Sequence, residues 1–155
     1  MVQGKYLYYG DDLSDCIKIR KQVFVIEQNI SEEEEFDDID NYAIHGLVFD
    51  NDNKKAVATG RVFHDGTNYR IGRVAVLKSE RGKSYGDFVV RMLANKAFLM
   101  GASEIHIDAQ VTAVSFYEKI GFMSYGEEFL DAGIKHIGMK LNAGNICKLC
   151  DNITN

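Results

Sequence analysis

"RVAVLKSERGKSYGDFVV", residues 73–90, runs from an apolar segment through a charged loop into a segment with apolar residues at helical spacing. This pattern predicts a strand, a loop and a helix in direct succession. Unpaired amides at the start of such a helix point outward, and the helix dipole adds partial positive charge there. The stretch therefore indicates an anion site, although a glycine-bearing loop before a helix is a simple tight turn at least as often.

The loop carries residue types that suit an anion. Gly82 and Gly86 would let the backbone approach a phosphate closely, because neither has a side chain in the way. Arg81 and Lys83 would add positive charge to the loop. These features favour a phosphate cradle but do not by themselves distinguish it from a turn.

The chain before this stretch predicts one strand, one helix and a run of three strands. Residues 5–12 indicate a strand that ends in a turn, and Asp12 is placed to cap the helix that follows. The apolar face of that helix is interrupted once, by an arginine, and comprises Cys16, Ile19, Arg20, Val23 and Phe24. Strands are predicted at residues 43–50, 56–63 and 69–77, and their short polar connections favour an antiparallel meander.

The chain after the stretch predicts a long helix, a strand, a short helix and two strands. Gly101 marks the end of the long helix, whose apolar face comprises Val89, Met92, Leu93, Ala97 and Met100. A strand at 104–111, a short helix at 112–121 and strands at 122–130 and 134–141 follow. The order predicts an α+β fold, with a mixed, mostly antiparallel sheet of about seven strands flanked by helices.

Composition limits the classes of protein to which the chain could belong. Its 155 residues, 46% of them hydrophobic, suit one compact domain, which we place at residues 1–143 with a tail at 144–155. The net charge of -5 disfavours a nucleic-acid partner, because such affinity rests on clustered Lys and Arg. No run suits a membrane span or a signal peptide, and three cysteines, an odd number, argue against a disulfide framework. We therefore expect a cytoplasmic protein with no membrane and no nucleic-acid partner.

The glycine loop resembles the signature of the GNAT superfamily, the acyl-CoA-dependent N-acyltransferases. "RGKSYG", residues 81–86, matches the pattern Arg/Gln-x-x-Gly-x-Gly/Ala at Arg81 and Gly86, and Ser84 stands where the middle glycine usually lies. "RVAV" before the loop and "SFYEKIGF" at 115–122 are similar to that family's fourth strand and to its Phe-Tyr-x-x-x-Gly-Phe segment. "FVIEQ" and the closing "GEEFLDAGIKHIGMKL" resemble a small bacterial branch of predicted acetyltransferases.

The resemblance implies an N-acetyltransferase that moves the acetyl group of acetyl-CoA to a primary amine of a small molecule or a protein. The loop amides would bind the pyrophosphate of coenzyme A, and backbone groups of the preceding strand would pair with the pantetheine arm. The implied coenzyme-binding residues are Val74, Ala75, Val76, Arg81, Gly82, Lys83, Ser84, Tyr85 and Gly86. Two points stay open: whether the protein instead holds acyl-CoA without turnover, as a sensor or scaffold, and whether it forms a homodimer through its last strands.

Tyr117 matches the tyrosine that in this family commonly lies near the coenzyme sulfur and acts as general acid. Acyl transfer to an amine requires a proton for the departing thiolate, and a tyrosine hydroxyl can supply one. The alternative interpretation of Tyr117 is a core aromatic on the apolar face of its short helix.

The general base is left open by the sequence. Many relatives carry a glutamate on the fourth strand, whereas this strand offers Arg70 and Arg73, which cannot accept a proton at neutral pH. The open candidates are Glu27, His106, Glu128, His136 and water. His106 alternates with two isoleucines, which favours a buried, hydrogen-bonded histidine slightly over a base.

Three further features have interpretations that do not depend on the coenzyme. The acidic run at 32–38 is interpreted as a solvated loop or short helix, peripheral to the chemistry, rather than a lid that screens cationic substrates or binds a cation. Arg73 either binds a carboxylate or phosphate of the acceptor or pairs with this acidic run. Cys147 and Cys150 form a C-x-x-C pair that we interpret as a chance feature, because no second pair completes a four-ligand metal site.

Overall fold

The computed structural model describes residues 2–50, 52 and 54–144, so the Cys147 and Cys150 pair lies outside the described residues. The strands are β1 (Val2–Leu7), β2 (Ile44–Asp50), β3 (Lys55–His64), β4 (Tyr69–Val76), β5 (Glu104–Gln110), β6 (Met123–Asp131) and β7 (Ile134–Asn142). The α-helices are α1 (Ser14–Arg20), α2 (Glu32–Glu35), α3 (Tyr85–Leu99) and α4 (Val114–Ile120). None of the helices in these residues is long and apolar enough to cross a membrane.

The strands form one seven-stranded sheet in the order β1-β2-β3-β4-β5-β7-β6. β4 and β5 run parallel, and every other neighbouring pair is antiparallel. This is the α+β architecture that the sequence predicts, and β2, β3 and β4 form the predicted meander. From β2 onward the predicted patterns begin and end close to the observed elements, because alternation and glycine punctuation mark strand and helix ends directly.

Helices bury apolar side chains on both faces of the sheet. On one face α3 and α4 pack against the strands, and the predicted apolar face of α3 is buried as far as Ala97, while Met100 is 40% exposed. Close approach of α3 depends on Gly60 of β3, where a β-carbon would lie 2.8 Å from the Leu93 Cδ1 atom. On the other face, the predicted face of the first helix packs with Leu7, Leu47 and Ala75.

The first helix widens after Arg20 into a π-helix over Lys21–Glu27. The Gln28 N–H donates to the Val23 carbonyl at 3.1 Å, a bond of π-helical span. The widened turn still buries the predicted positions Val23 and Phe24. Both of these side chains also reach the central opening of the sheet.

That opening arises because β4 and β5 soon part. They pair at two positions only, Tyr69 with Ile105 and Arg70 with His106. Further along β4, the register against β3 shifts next to Arg73, whose φ of 52° lies in the left-handed region. Such a bulge bends the strand that carries the extra residue. Past this point the facing edges of β4 and β5 have no strand partner among the described residues.

Candidate active site

A cleft of about 1080 Å³ opens where β4 and β5 diverge. Residues of the π-helix, α2, β4, the start of α3, α4 and the β6–β7 hairpin line it. The cleft brings together the residues that the sequence resemblance implies for coenzyme and catalysis: Val74, Ala75, Val76, Arg81, Gly82, Ser84, Tyr85, Gly86 and Tyr117. Lys83, which the resemblance also implies, is not among the lining residues.

The loop before α3 contains two residues with left-handed backbone. Gly82 has a φ of 80°, and Ser84 has a φ of 67°. Glycine adopts this conformation readily, whereas a residue with a β-carbon is destabilised by about 1–2 kcal/mol. Ser84 thus takes, at some cost, the backbone conformation that a glycine would adopt without strain at this position.

The start of α3 presents backbone donors to the cleft. The first hydrogen bond of this 15-residue helix runs from the Phe88 N–H to the Ser84 carbonyl at 3.1 Å. The preceding amides therefore have no partner within the helix. Tyr85, Gly86 and Asp87 all line the cleft. Free amides at the positive end of a long helix are suited to bind an anion.

The two cations of the loop are already paired with carboxylates. Arg81 binds Glu27 through two hydrogen bonds of 2.6 and 2.8 Å, and its Nε donates to the Val76 carbonyl at 3.1 Å. The Lys83 ammonium donates to Glu80 at 2.9 Å. Both side chains were expected to add positive charge to the loop, but these pairs offset that charge. The groups of the loop that remain for an anion are its backbone amides.

Gly86 allows three elements to meet. A β-carbon at this position would lie 3.3 Å from Phe116 of α4 and 3.3 Å from Val76 of β4. Both distances are tighter than ordinary contacts, so the absence of a side chain brings the first turn of α3 close to the edge of β4. The amides of that turn and the free edge of the strand consequently share one wall of the cleft.

The edge of β4 directs backbone groups into the cleft. Leu77, just past the strand, donates its N–H to the Val57 carbonyl of β3 at 3.0 Å. Hydrogen-bonded and non-hydrogen-bonded pairs alternate in an antiparallel ladder, so the backbone groups of Val76 point away from β3. The Val76 carbonyl accepts from Arg81, which leaves its N–H as the group that an extended ligand could reach.

Tyr117 is both a core aromatic and a cleft residue. Its ring packs edge-on against Phe116 and Phe122, at centroid distances of 4.9 and 5.7 Å, and the residue is 7% exposed. Burial raises the pKa of Tyr117 far above its ordinary value, so the hydroxyl keeps its proton at neutral pH. A protonated hydroxyl in a nearly dry site can donate a hydrogen bond to a negative charge that forms nearby.

Two of the four candidate bases are placed badly for proton abstraction. The hydrogen bonds from Arg81 hold the pKa of Glu27 below its ordinary range, and this carboxylate is already occupied. His106 is buried between Tyr125 and Glu104, whose oxygens lie 2.8 and 2.7 Å from its two ring nitrogens. His106 does not line the cleft, in agreement with the buried, hydrogen-bonded interpretation.

The other two candidates, on the last hairpin, differ in position. Glu128 is exposed on β6 and is not among the lining residues. His136 of β7 is 9% exposed, lines the cleft and stacks on Phe129 at a centroid distance of 5.9 Å. Its Nδ1 lies 2.7 Å from the Ile134 carbonyl oxygen.

The acidic run at 32–38 is less exposed than its sequence predicts. Ser31 caps α2 by accepting from the Glu34 N–H at 3.2 Å, and Glu32–Glu34 are exposed as predicted. Glu35, however, is 2% exposed, and its carboxylate accepts from Arg20 Nε at 2.9 Å. Arg73 Nε lies 3.2 Å from the second oxygen of the same carboxylate. The interpretation of residues 32–38 as solvated is wrong at Glu35, which arginines inside the fold bind although burial raises the pKa of its carboxyl.

These contacts belong to a larger network of three arginines and three carboxylates. Arg61 donates to Asp37 at 2.6 and 2.9 Å and to Asp40 at 2.8 Å, and Arg20 donates to Asp40 at 2.7 Å. Although burial raises the pKa of Asp40, the hydrogen bonds and charges of both arginines outweigh it and hold the pKa below its ordinary value. Within the described residues, Arg61 Nε is the only buried side-chain nitrogen or oxygen without a hydrogen-bond partner.

The sequence carries a signal for this network. Arg20 interrupts an otherwise apolar helix face, and Arg61 lies in a strand of mostly small and apolar residues. A charged residue at a core position requires a buried partner, and the acidic run is the obvious source. Of the two roles left open for Arg73, the structure contains the pairing with the acidic run.

One polar contact across the cleft, between Gln110 and Gln28, could not be predicted from the sequence. The Gln110 side-chain amide of β5 donates to the Gln28 side-chain oxygen, just past the π-helix, at 2.9 Å. Both glutamines line the cleft, and Gln110 stands opposite His136 in the register of β5 and β7. Within residues 2–50, 52 and 54–144, no group of three His, Cys, Asp or Glu could hold a metal ion.

Comparison with known proteins identifies the fold and the family. A family model described as the acetyltransferase (GNAT) domain matches residues 15–143. The chain is 39% identical over 130 residues to the uncharacterized N-acetyltransferase YjcF of Bacillus subtilis (strain 168). The match covers 83% of this chain and 91% of that protein.

Solved structures agree in fold. An acyl-CoA N-acyltransferase from Pseudomonas aeruginosa has a TM-score of 0.79 at 22% identity, covering 91% of this chain and 99% of that one. A structure from Bacillus anthracis (strain Ames), in complex with acetyl coenzyme A, has a TM-score of 0.56 at 19% identity and covers 64% of this chain and 62% of that one. From the family model and the YjcF match, this chain belongs to the GNAT acetyltransferase family.

Proposed function

We propose that the protein is an N-acetyltransferase that moves the acetyl group of acetyl-CoA to a primary amine. The observation that carries the proposal is the unpaired edge of β4 beside the amide-rich start of α3, in one cleft with Tyr117. The acetyl coenzyme A bound to the Bacillus anthracis structure of this fold supports the choice of cosubstrate. A cytoplasmic location stays a prediction, as does a homodimer.

The cleft divides into two ends in this proposal. The coenzyme end comprises the edge of β4 at residues 74–76 and the loop and helix start at residues 81–87. The acceptor end comprises α2, Arg61, Arg73 and His136. Pantetheine would extend along the free β4 edge, and the pyrophosphate would take the α3 amides. The thioester would then lie between the two ends, near Tyr117.

The proposed reaction forms one bond and breaks another. The amine nitrogen bonds to the carbonyl carbon of the thioester, and the carbon–sulfur bond breaks to release the thiolate of coenzyme A. The acceptor must first lose its ammonium proton, since only the free amine has a lone pair. Tyr117 donates a hydrogen bond to the sulfur as negative charge develops there, and the thiolate leaves as the protonated thiol.

Thiol release tests the proposal directly. The protein is incubated with acetyl-CoA and pools of primary amines, while free thiol is measured and coenzyme binding is followed by calorimetry. We expect binding of acetyl-CoA and amine-dependent thiol release. Binding without release by any pool would favour a sensor or scaffold instead. Absence of binding would overturn both functions.

A further inference from the structure

One histidine, His136, is among the residues that line the cleft. We propose that His136 is the general base that removes the ammonium proton of the acceptor, an inference that rests on the proposed function. The residue lines the same cleft as Tyr117 and is 9% exposed. It stands at the acceptor end, on a strand rather than a loop, so its ring is held by regular structure.

Its contacts select the tautomer that a base needs. The Ile134 carbonyl lies 2.7 Å from Nδ1 and can only accept, so Nδ1 carries the hydrogen. The lone pair of the neutral ring is therefore on Nε2. Stacking on Phe129, with an interplanar angle of 23°, restricts rotation of the ring. A fixed tautomer in a fixed plane is the arrangement by which a histidine accepts a proton in one direction.

Two of the carboxylates that line the acceptor end are held by arginines and are poorer bases for that reason. Glu35 and Asp37 are bound to arginines, and a paired carboxylate would have to lose that partner to take a proton. Asp108 lies 3.5 Å from Arg70 Nη1. His136 matches the position that the step requires.

Charged groups of both signs line the cleft together with His136. Asp108 stands on β5, Lys119 on α4, and Asp131 at the end of β6. Gln110, directly opposite His136 in the strand register, is uncharged and is bridged to Gln28. Asp108 and Asp131 would favour the arrival of a cationic amine, and Gln110 offers a neutral polar neighbour to it.

The proton balance of the step is complete. His136 Nε2 takes one proton from the ammonium, which gives the free amine and an imidazolium. The amine attacks the thioester, and its second proton leaves as the amide forms and the thiolate is protonated. The imidazolium returns its proton to water after the products leave. Coenzyme A leaves as the thiol, and the net release is one proton.

Acceptors of different basicity separate this role from packing. The His136→Gln variant is assayed with an alkylamine, which is charged at neutral pH, and with hydroxylamine, which is already uncharged. We expect kcat/KM to fall by about 10²–10⁴ for the alkylamine and much less for hydroxylamine. We expect the affinity for acetyl-CoA to stay the same, and imidazole to restore part of the activity of His136→Ala.

His106→Gln is the matched control, because His106 is equally buried but lies outside the cleft. Equal losses with both amines, or full activity of His136→Gln, would overturn the inference while leaving the acetyltransferase intact. An inactive wild-type protein that binds acetyl-CoA would instead overturn the proposed function. A fall in coenzyme affinity equal to the fall in rate would make His136 a structural residue.

Discussion

The two ends of the cleft carry their charges in different ways. At the coenzyme end the side-chain charges lie near the surface in pairs such as Lys83 with Glu80, and the groups that face a ligand are backbone amides. Behind the acceptor end arginines and carboxylates are buried together, as in the pair of Arg20 with Glu35 of α2. The coenzyme end depends on local backbone geometry, whereas the acceptor end depends on contacts between residues far apart in sequence. Substitutions at the two ends should therefore differ in their effects on ligand binding and on stability.

The largest effect is expected from Glu35→Ala at the acceptor end. Removal of this carboxylate leaves Arg20, itself 1% exposed, short of a buried partner. Breaking a buried ion pair on one side typically costs about 3–5 kcal/mol in the free energy of unfolding. Urea denaturation followed by circular dichroism measures the loss.

Glu32→Ala is the matched control, because Glu32 lies in the same short helix and pairs with the exposed Lys21 at 2.9 Å. An exposed pair contributes about 0–1 kcal/mol. Joint replacement of the three exposed glutamates of α2 by glutamine should likewise leave acetyl-CoA binding near wild type. A loss at Glu32 as large as at Glu35 would refute the contrast between exposed and buried halves of the run.

The next largest effect is expected from Tyr117→Phe, between the two ends. The ring and its packing remain, but the hydroxyl is lost, so turnover should fall by roughly ten- to a thousandfold. The raised pKa of Tyr117 favours the lower part of this range, because the group donates a hydrogen bond more readily than a whole proton. Acetyl-CoA affinity and melting temperature, measured beside the rate, should barely change. Unchanged turnover would make Tyr117 a packing residue only.

A smaller effect is expected from Gly86→Val at the coenzyme end. The new side chain would press on Phe116 and Val76 and push the α3 amides away from the β4 edge. Overpacking of this kind costs about 1–3 kcal/mol in the free energy of unfolding. Displacement of the amides should in addition weaken the affinity for acetyl-CoA, measured by calorimetry, by roughly tenfold or more. Lys83→Ala should change the affinity far less, since its ammonium is paired and exposed. A larger loss of affinity in Lys83→Ala than in Gly86→Val would mean that side-chain charge, rather than the backbone, binds the coenzyme.

The smallest effect is expected from Ser84→Gly. Glycine relieves the left-handed backbone of this residue but increases the freedom of the unfolded chain. The net gain in the free energy of unfolding should be about 0.5–1 kcal/mol, measured by thermal denaturation. A matched Ser79→Gly replacement, at a residue whose φ is not left-handed, should lower the stability instead. A destabilised Ser84→Gly protein would mean that the serine side chain contributes contacts that offset its strain.

The coenzyme end could be predicted from the sequence because its parts are neighbours in the chain. The strand, the glycine loop and the helix start occupy residues 73–90, and alternation and glycine spacing mark each of them. Even there, the pairing of Arg81 with Glu27 could not be predicted, since 54 residues separate the two. Side-chain partners depend on the packing of elements, which a local pattern does not contain.

The acceptor end could be predicted only in part for the same reason. Arg61 meets Asp37 across 24 residues, and Gln110 meets Gln28 across 82. His136 appeared as one candidate of several, because sequence alone does not tell which strand face opens on the cleft. The alternation around His106 did predict its orientation, since Ile105 and Ile107 occupy the opposite, apolar face.

The divergence of β4 from β5 creates an open strand edge in the middle of a sheet, where proteins usually have none. An exposed edge is normally a template on which another chain can add a strand and start an aggregate. Here Phe24 and Phe116 line the cleft from the two faces of the sheet. A polypeptide strand carries side chains on both faces and would collide with them. The aromatic walls of the cleft therefore protect this open edge against the addition of a strand from another protein.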